Sequence, residues 1–136
     1  MRDRPAGPGA VTGAPPGETF HMLAYAWDVT AAKALAAGRD PNGRLAPADW
    51  AGILSLIATD RDHANAVDLD EPLIVVLIAD AGHFPIDGWH RIRRALSEGI
   101  EYLRAIVLTT EEEYAIRIHG GDKQPHFLHH PTHRRR

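Results

Sequence analysis

Apolar positions along this chain change period several times, and the changes predict a mixed fold. Residues 18–27, ETFHMLAYAW, alternate Phe20, Met22, Ala24 and Ala26 with Thr19, His21, Leu23 and Tyr25, as a strand buried on at least one face would. Asp28, Val29 and Thr30 offer a cap for a short Ala-rich helix over 30–37, which Gly38 stops. Residues 39–46 carry Asp-Pro and Asn-Gly and read as a loop. From Pro47 a second helix is predicted, with Trp50, Ile53, Leu54 and Ile57 on one face. Residues 59–70 hold four aspartates without apolar periodicity and read mostly as loop. They lack the ligand spacing and closing glutamate of a calcium loop.

The next stretch is the most informative. Residues 73–79, LIVVLIA, form a continuous branched run, as in a strand covered on both faces. Asp80-Ala81-Gly82 makes a turn, and residues 83–86 return as the second strand of a hairpin. Trp89, Ile92, Leu96 and Ile100 then recur at about helical spacing, with Arg91, Arg93, Arg94 and Glu98 on the other sides and Gly99 as the stop. Residues 102–108 form another buried-type strand. Thr109 with Glu112 and Thr110 with Glu113 make two overlapping capping boxes, which predict a helix over 111–118. The fold class that follows is α/β in the broad α+β sense, a small mixed sheet flanked by helices.

Composition sets the boundaries. A chain of 136 residues with 44% hydrophobic content supports one core. Residues 1–17, rich in Pro, Gly and Ala, have too little apolar surface to offset the entropy of ordering and read as a disordered leader. The domain is expected over 18–120. Residues 121–136 read as a flexible tail in which Pro125 and Pro131 oppose the helix that would align His126 with His130. His129, His133 and Arg134 to Arg136 complete that tail. A net charge of -3 gives no global pull toward nucleic acid. Without cysteine there is no disulfide, thiolate metal site or cysteine nucleophile. No apolar run approaches the roughly 20 residues of a spanning helix, and residues 1–17 contain no signal-like apolar block. A soluble cytoplasmic protein without membrane association is the expectation.

Candidate chemistry concentrates at Asp87-Gly88-Trp89-His90-Arg91, where a strand ends and a helix begins. The first amides of a helix lack intrahelical acceptors and carry the positive end of its dipole, so this place suits an anion. Gly88, lacking Cβ, would let a phosphate approach the amides of residues 89 to 91, with His90 and Arg91 on its outer oxygens. Asp87 would repel a bare phosphate. Its roles would be to hold Mg²⁺, to accept a hydroxyl proton or to cap the helix, the last being the plainest.

The order PLIVV, hairpin, IDGWHRIRRAL and YLRAIVLTTEEE resembles the ParB/sulfiredoxin superfamily across residues 71–118. The resemblance implies a nucleotide-binding domain whose Gly-x-His-Arg turn, here Gly88, Trp89, His90 and Arg91, holds phosphates. Trp89 stands where sulfiredoxins carry their catalytic cysteine, so sulfinic-acid reduction is excluded. The Asp-Gly-x-His-Arg form is closer to ParB-like domains and free-serine kinases, which implies a role for Asp87 on metal or nucleophile. Kinase members place an acidic base near the first helix, a position that falls on Asp28, equally a helix cap.

The leading expectation is a stand-alone domain that binds ATP or CTP with Mg²⁺ held by Asp87. If it is an enzyme, the natural chemistry is phosphoryl transfer or nucleotide hydrolysis, with Asp87, His90 and Asp28 as catalytic candidates. The alternatives are a non-catalytic DNA-associated or protein-interaction module using Arg91, Arg93, Arg94, Arg104 and the basic tail, or a ParB-like nuclease. The acidic stretch at 59–70 leaves room for a partner, a homodimer included.

Overall fold

The computed structural model describes residues 17–22, 24–57, 59, 61–79 and 81–123. Nearly all of the expected leader, the histidine- and arginine-bearing tail from 124 onward, and Asp80 of the hairpin turn lie outside the described residues.

Two sheets and five α-helices are present among the described residues. The first sheet is antiparallel, in the order β1 (Thr19–Met22), β2 (Tyr25–Asp28), β7 (Arg117–His119). The second has the order β3 (Gly43–Leu45), β6 (Leu103–Val107), β4 (Leu73–Ile78), β5 (Gly82–Asp87). Within it β4 and β6 run parallel, and the other two pairings are antiparallel. Helices α1 (Val29–Ala36), α2 (Ala51–Leu54), α3 (Arg61–Ala66), α4 (Trp89–Glu98) and α5 (Thr110–Ile116) surround these sheets, with a 3₁₀ turn at Pro47–Trp50 before α2. None of the described helices is long and apolar enough to cross a membrane.

Strand β4 is apolar because its two faces serve two cores, with Leu77 alone of its residues exposed, at 40%. Ile74, Val76 and Ile78 pack with Trp27, Ile86, Ile106 and Ile116. Leu73 and Val75 pack with Leu45, Ala105 and the α4 residues Trp89, Ile92 and Ala95. Each large aliphatic side chain buried in this way contributes about 1.5–3 kcal/mol. Phe20 and Phe84 touch both clusters, so an aromatic seam joins the hairpins β1–β2 and β4–β5.

The hairpin β4–β5, the helix α4 and the strand β6 lie where the sequence pattern puts them. Helix α4 ends at Gly99 in a left-handed conformation, and α5 opens on the Thr109–Glu112 capping box. Four expectations need correction. Residues 18–27 form a hairpin rather than one strand. The alternation switches parity at the turn: Phe20 pairs with Trp27 and Met22 with Tyr25, so these four share a face, and the Phe20 and Trp27 rings stack with centroids 6.2 Å apart. The expected loop at 39–46 contains edge strand β3. There Asn42 Nδ2 donates to Val107 O at 3.2 Å, and Asn42 Oδ1 accepts from Val107 N at 2.7 Å, which extends the pairing. The acidic stretch contains α3, whose Ala64 is 1% exposed. Packing against α4 overrides its weak helix propensity. The last helix stops at Ile116, and Arg117–His119 turns into β7. Beyond it, Gly120 and Lys123 exchange backbone hydrogen bonds at 2.9 and 3.0 Å, so the start of the expected tail folds back on the domain.

Candidate functional site

Strand β5 delivers Asp87 to the start of α4 through Gly88, whose φ is 106°. A Cβ at Gly88 would lie 2.3 Å from Leu73 Cδ2 and 2.9 Å from Arg91 Nη2. The space left by the missing Cβ is therefore filled from within by Leu73 and Arg91. This corrects the expectation that Gly88 clears the backbone for a phosphate: glycine is required here by the left-handed turn and by close packing. Gly88 is also the residue that caps α4, with no side-chain cap bond, so the capping role considered for Asp87 does not apply.

Each site residue inferred from sequence has a definite place. The Trp89 side chain is core, 4% exposed, and its Nε1 donates to Pro85 O at 3.0 Å. Only its backbone amide, in the first turn of the helix, fits the anion role. His90 meets His63 of α3 edge to face, ring centroids 4.3 Å apart. Arg91 is 8% exposed and turns inward. Its Nη2 donates to Asp87 Oδ2 at 3.2 Å and to Pro72 O at 3.3 Å, and its Nη1 donates to Glu71 Oε1 at 3.3 Å. Its Nε is buried with no hydrogen-bond partner among the described residues. Asp28 is the N-cap of α1, with Oδ1 accepting from Ala31 N at 3.0 Å.

Beside Asp87 lies a cleft of about 280 Å³ between the end of α1 and the approach to β4. Its charged lining is Lys33, Arg39, Glu71 and Asp87, above an apolar floor that includes Ile74 and Ile106. Two cations and two carboxylates thus face one space. Asp28, His90 and Arg91 do not line it. Lys33 Nζ donates to Glu18 Oε1 at 2.6 Å and lies 3.9 Å from Asp87 Oδ1. The bond to Glu18 holds its pKa above the usual lysine value, with Asp87 adding to the effect against partial desolvation. Arg39 Nη1 donates to Glu112 Oε1 at 3.1 Å, with a second, closer bond from Nη2 to Oε2. That guanidinium, and after it the Thr109 amide, lowers the Glu112 carboxyl to about 2.

Lys33, Arg39 and Glu71 are additions that sequence reasoning missed. Lys33 is a lone cation in an Ala-rich helix, and Glu71 is an ordinary acid before Pro72. The only signal for Glu71 was its position at the start of the strand antiparallel to the one that ends at Asp87.

Among the described residues no three His, Cys, Asp or Glu side chains converge to hold a metal on their own. Asp87 and Glu71 do share one guanidinium. Two carboxylates fit Mg²⁺, which is commonly held by one or two of them together with substrate phosphates.

The basic ridge expected for a DNA-associated module is largely spent internally. Arg91 faces inward, Arg94 donates to Glu98 and to Val67 O, and Arg104 donates to Asp70 O. Arg93 alone of the four has just a hydroxyl, Thr59 Oγ1 at 2.9 Å, as its described partner.

Compared with models of known protein families, with curated proteins and with solved structures, the chain finds no match. Its own residues must carry the functional reading.

Proposed function

We propose that this chain is a ParB/sulfiredoxin-like domain that binds a nucleotide, ATP or CTP, with Mg²⁺ at the cleft beside Asp87. The observation that supports this most is the state of Arg91: a nearly buried guanidinium with three long bonds, an unsatisfied Nε, and one partner, Glu71, whose side chain is 65% exposed. A buried donor without a partner is costly and rare, and such groups concentrate at functional sites. In this reading Glu71 exchanges Arg91 for Mg²⁺ when the nucleotide enters, and Asp87 supplies the second carboxylate. Lys33 and Arg39 neutralise phosphate oxygens. Small-molecule sites span roughly 300–1,000 Å³, so a cleft of about 280 Å³ suits phosphates and sugar, with the base outside.

Phosphoryl transfer or nucleotide hydrolysis is the chemistry such a site supports, chiefly by positioning and charge neutralisation. Bound Mg²⁺ would supply charge on the transferring group. The chain's part is to orient that ion through Asp87 and Glu71 and to accept a nucleophile's proton at Asp87. Asp28 is a weaker candidate for that base, because a cap bond already engages its Oδ1. A thermal-shift panel of ATP, ADP, CTP and GTP with and without Mg²⁺ tests the proposal. At least one Mg²⁺-nucleotide should raise the melting temperature by mass action. No shift with any of them at millimolar concentration would remove it.

A further inference from the structure

A second cleft lies on the other helical layer, between α2, α3 and α4. Its volume is about 510 Å³, inside the range of small-molecule sites. Leu54, Ala64 and Leu96 give it an apolar floor, and Asn65, Arg93, Arg94 and Ser97 form its polar lining. No carboxylate of the described residues lines it. Arg94 is committed, with Nε on Glu98 Oε2 at 2.7 Å and Nη1 on Val67 O at 2.6 Å. Ser97 Oγ donates to Arg94 O at 2.8 Å, leaving its lone pairs as acceptors. Arg93 is different. It is half-buried, and its single described partner is the neutral Thr59 hydroxyl. A guanidinium carries five donors in a planar fork matched to carboxylate and phosphate. A partly desolvated one with no counter-charge among its described partners gains more from an anion than a fully solvated one does.

We infer that this cleft binds a small amphiphilic anion, its phosphate or carboxylate on Arg93 and its apolar body against Leu54 and Leu96. The site is separate from the Asp87 cleft, with which it shares no described lining residue, and it stands whether or not a nucleotide binds there.

Phenyl phosphate, phenylacetate, inorganic phosphate and benzyl alcohol serve as probes, titrated into the full chain while the arginine side-chain ¹⁵Nε resonances are followed. Phenyl phosphate should move the Arg93 resonance saturably and more tightly than inorganic phosphate does. Benzyl alcohol should leave it in place. Phenylacetate separates the two anion sources: binding equal to phenyl phosphate assigns a site for either anion, and weaker binding assigns a phosphate monoester. Arg93→Gln should weaken phenyl phosphate at least about tenfold, read by calorimetry, and Lys33→Met should leave it unchanged. If Arg93→Gln does not fold, Asn65→Asp replaces it: an acid on the exposed rim should weaken phenyl phosphate and leave benzyl alcohol unaffected. Unchanged affinity in the folded variant, loss in Lys33→Met instead, or equal binding of benzyl alcohol or of inorganic phosphate would overturn the inference.

Discussion

Two nearly buried arginines, each paired with an acid four residues earlier, are held in opposite ways. Arg117 donates Nε and Nη2 to the two oxygens of Glu113 at 2.8 and 2.7 Å, and Nη1 to Gly120 O at 2.9 Å and, more weakly, to the exposed Asp122 Oδ1 at 3.3 Å. Its guanidinium also lies over the Tyr25 and Tyr114 rings, 5.3 and 5.1 Å from their centroids. Glu113, 3% exposed, accepts Trp27 Nε1 at 2.8 Å as well. Arg91 makes bonds of 3.2 to 3.3 Å, leaves Nε unpaired, and shares itself between Asp87 and the exposed Glu71. Short, bidentate, satisfied pairing fixes β7 and α5 to the core. Long pairing that leaves Nε unsatisfied among the described residues makes a group whose partners can be exchanged. The difference teaches that burial of a charge does not by itself distinguish a staple from a site, and the completeness of its bonds is the criterion on which the role proposed for Arg91 rests.

The largest effect should come from the complete pair. Arg117→Met leaves Glu113 buried and unpaired and should cost about 3–5 kcal/mol in urea denaturation. Arg91→Met should cost clearly less, because its bonds are longer and it removes an unsatisfied donor. Equal losses would break the comparison. Next comes Gly88→Ala, which forces a left-handed φ on alanine and drives its Cβ into Leu73. It should destabilise by about 2 kcal/mol or more, and a variant as stable as the parent would contradict the packing described. Lys33→Met should weaken Mg²⁺-nucleotide binding about tenfold, while the melting temperature changes little, since an exposed pair contributes about 0–1 kcal/mol. Calorimetry and thermal denaturation check the two halves.

The smallest effect is pH-dependent. The Glu112 carboxyl sits near 2 in the folded chain against 4.5 as its ordinary value. A carboxyl lowered on folding adds stability that is present above its unfolded value and lost as pH falls toward the folded one. The urea midpoint should therefore decline between about pH 4.5 and 2. Glu112→Gln should flatten that decline, and an identical slope in the variant would remove the assignment.

Legibility in the sequence followed the range of the interactions. Helix α4, its Gly99 stop and the Thr109 capping box depend on residues within a few positions, and all were readable. The same holds for β4, whose apolar run records burial on both faces. Strand β3 and helix α3 were not readable, because long-range contacts decide them: Asn42 bridging to Val107, and Ala64 buried beside α4. At the candidate site the pattern marked Asp87 to Arg91 as a turn of consequence. It missed that Arg91 points inward, since nothing local shows that Glu71 and Pro72 lie beside it. Lys33 and Arg39 were missed for the same reason, being brought to Asp87 only by the packing of α1.

The most direct test of the unequal arginines is a side-chain ¹⁵Nε titration of the full chain with the Mg²⁺-nucleotide that gives the largest thermal shift. The Arg91 resonance should move saturably as Glu71 leaves it, while Arg117 stays where it is. An Arg91 signal that does not move, or an Arg117 signal that moves equally, would contradict the account.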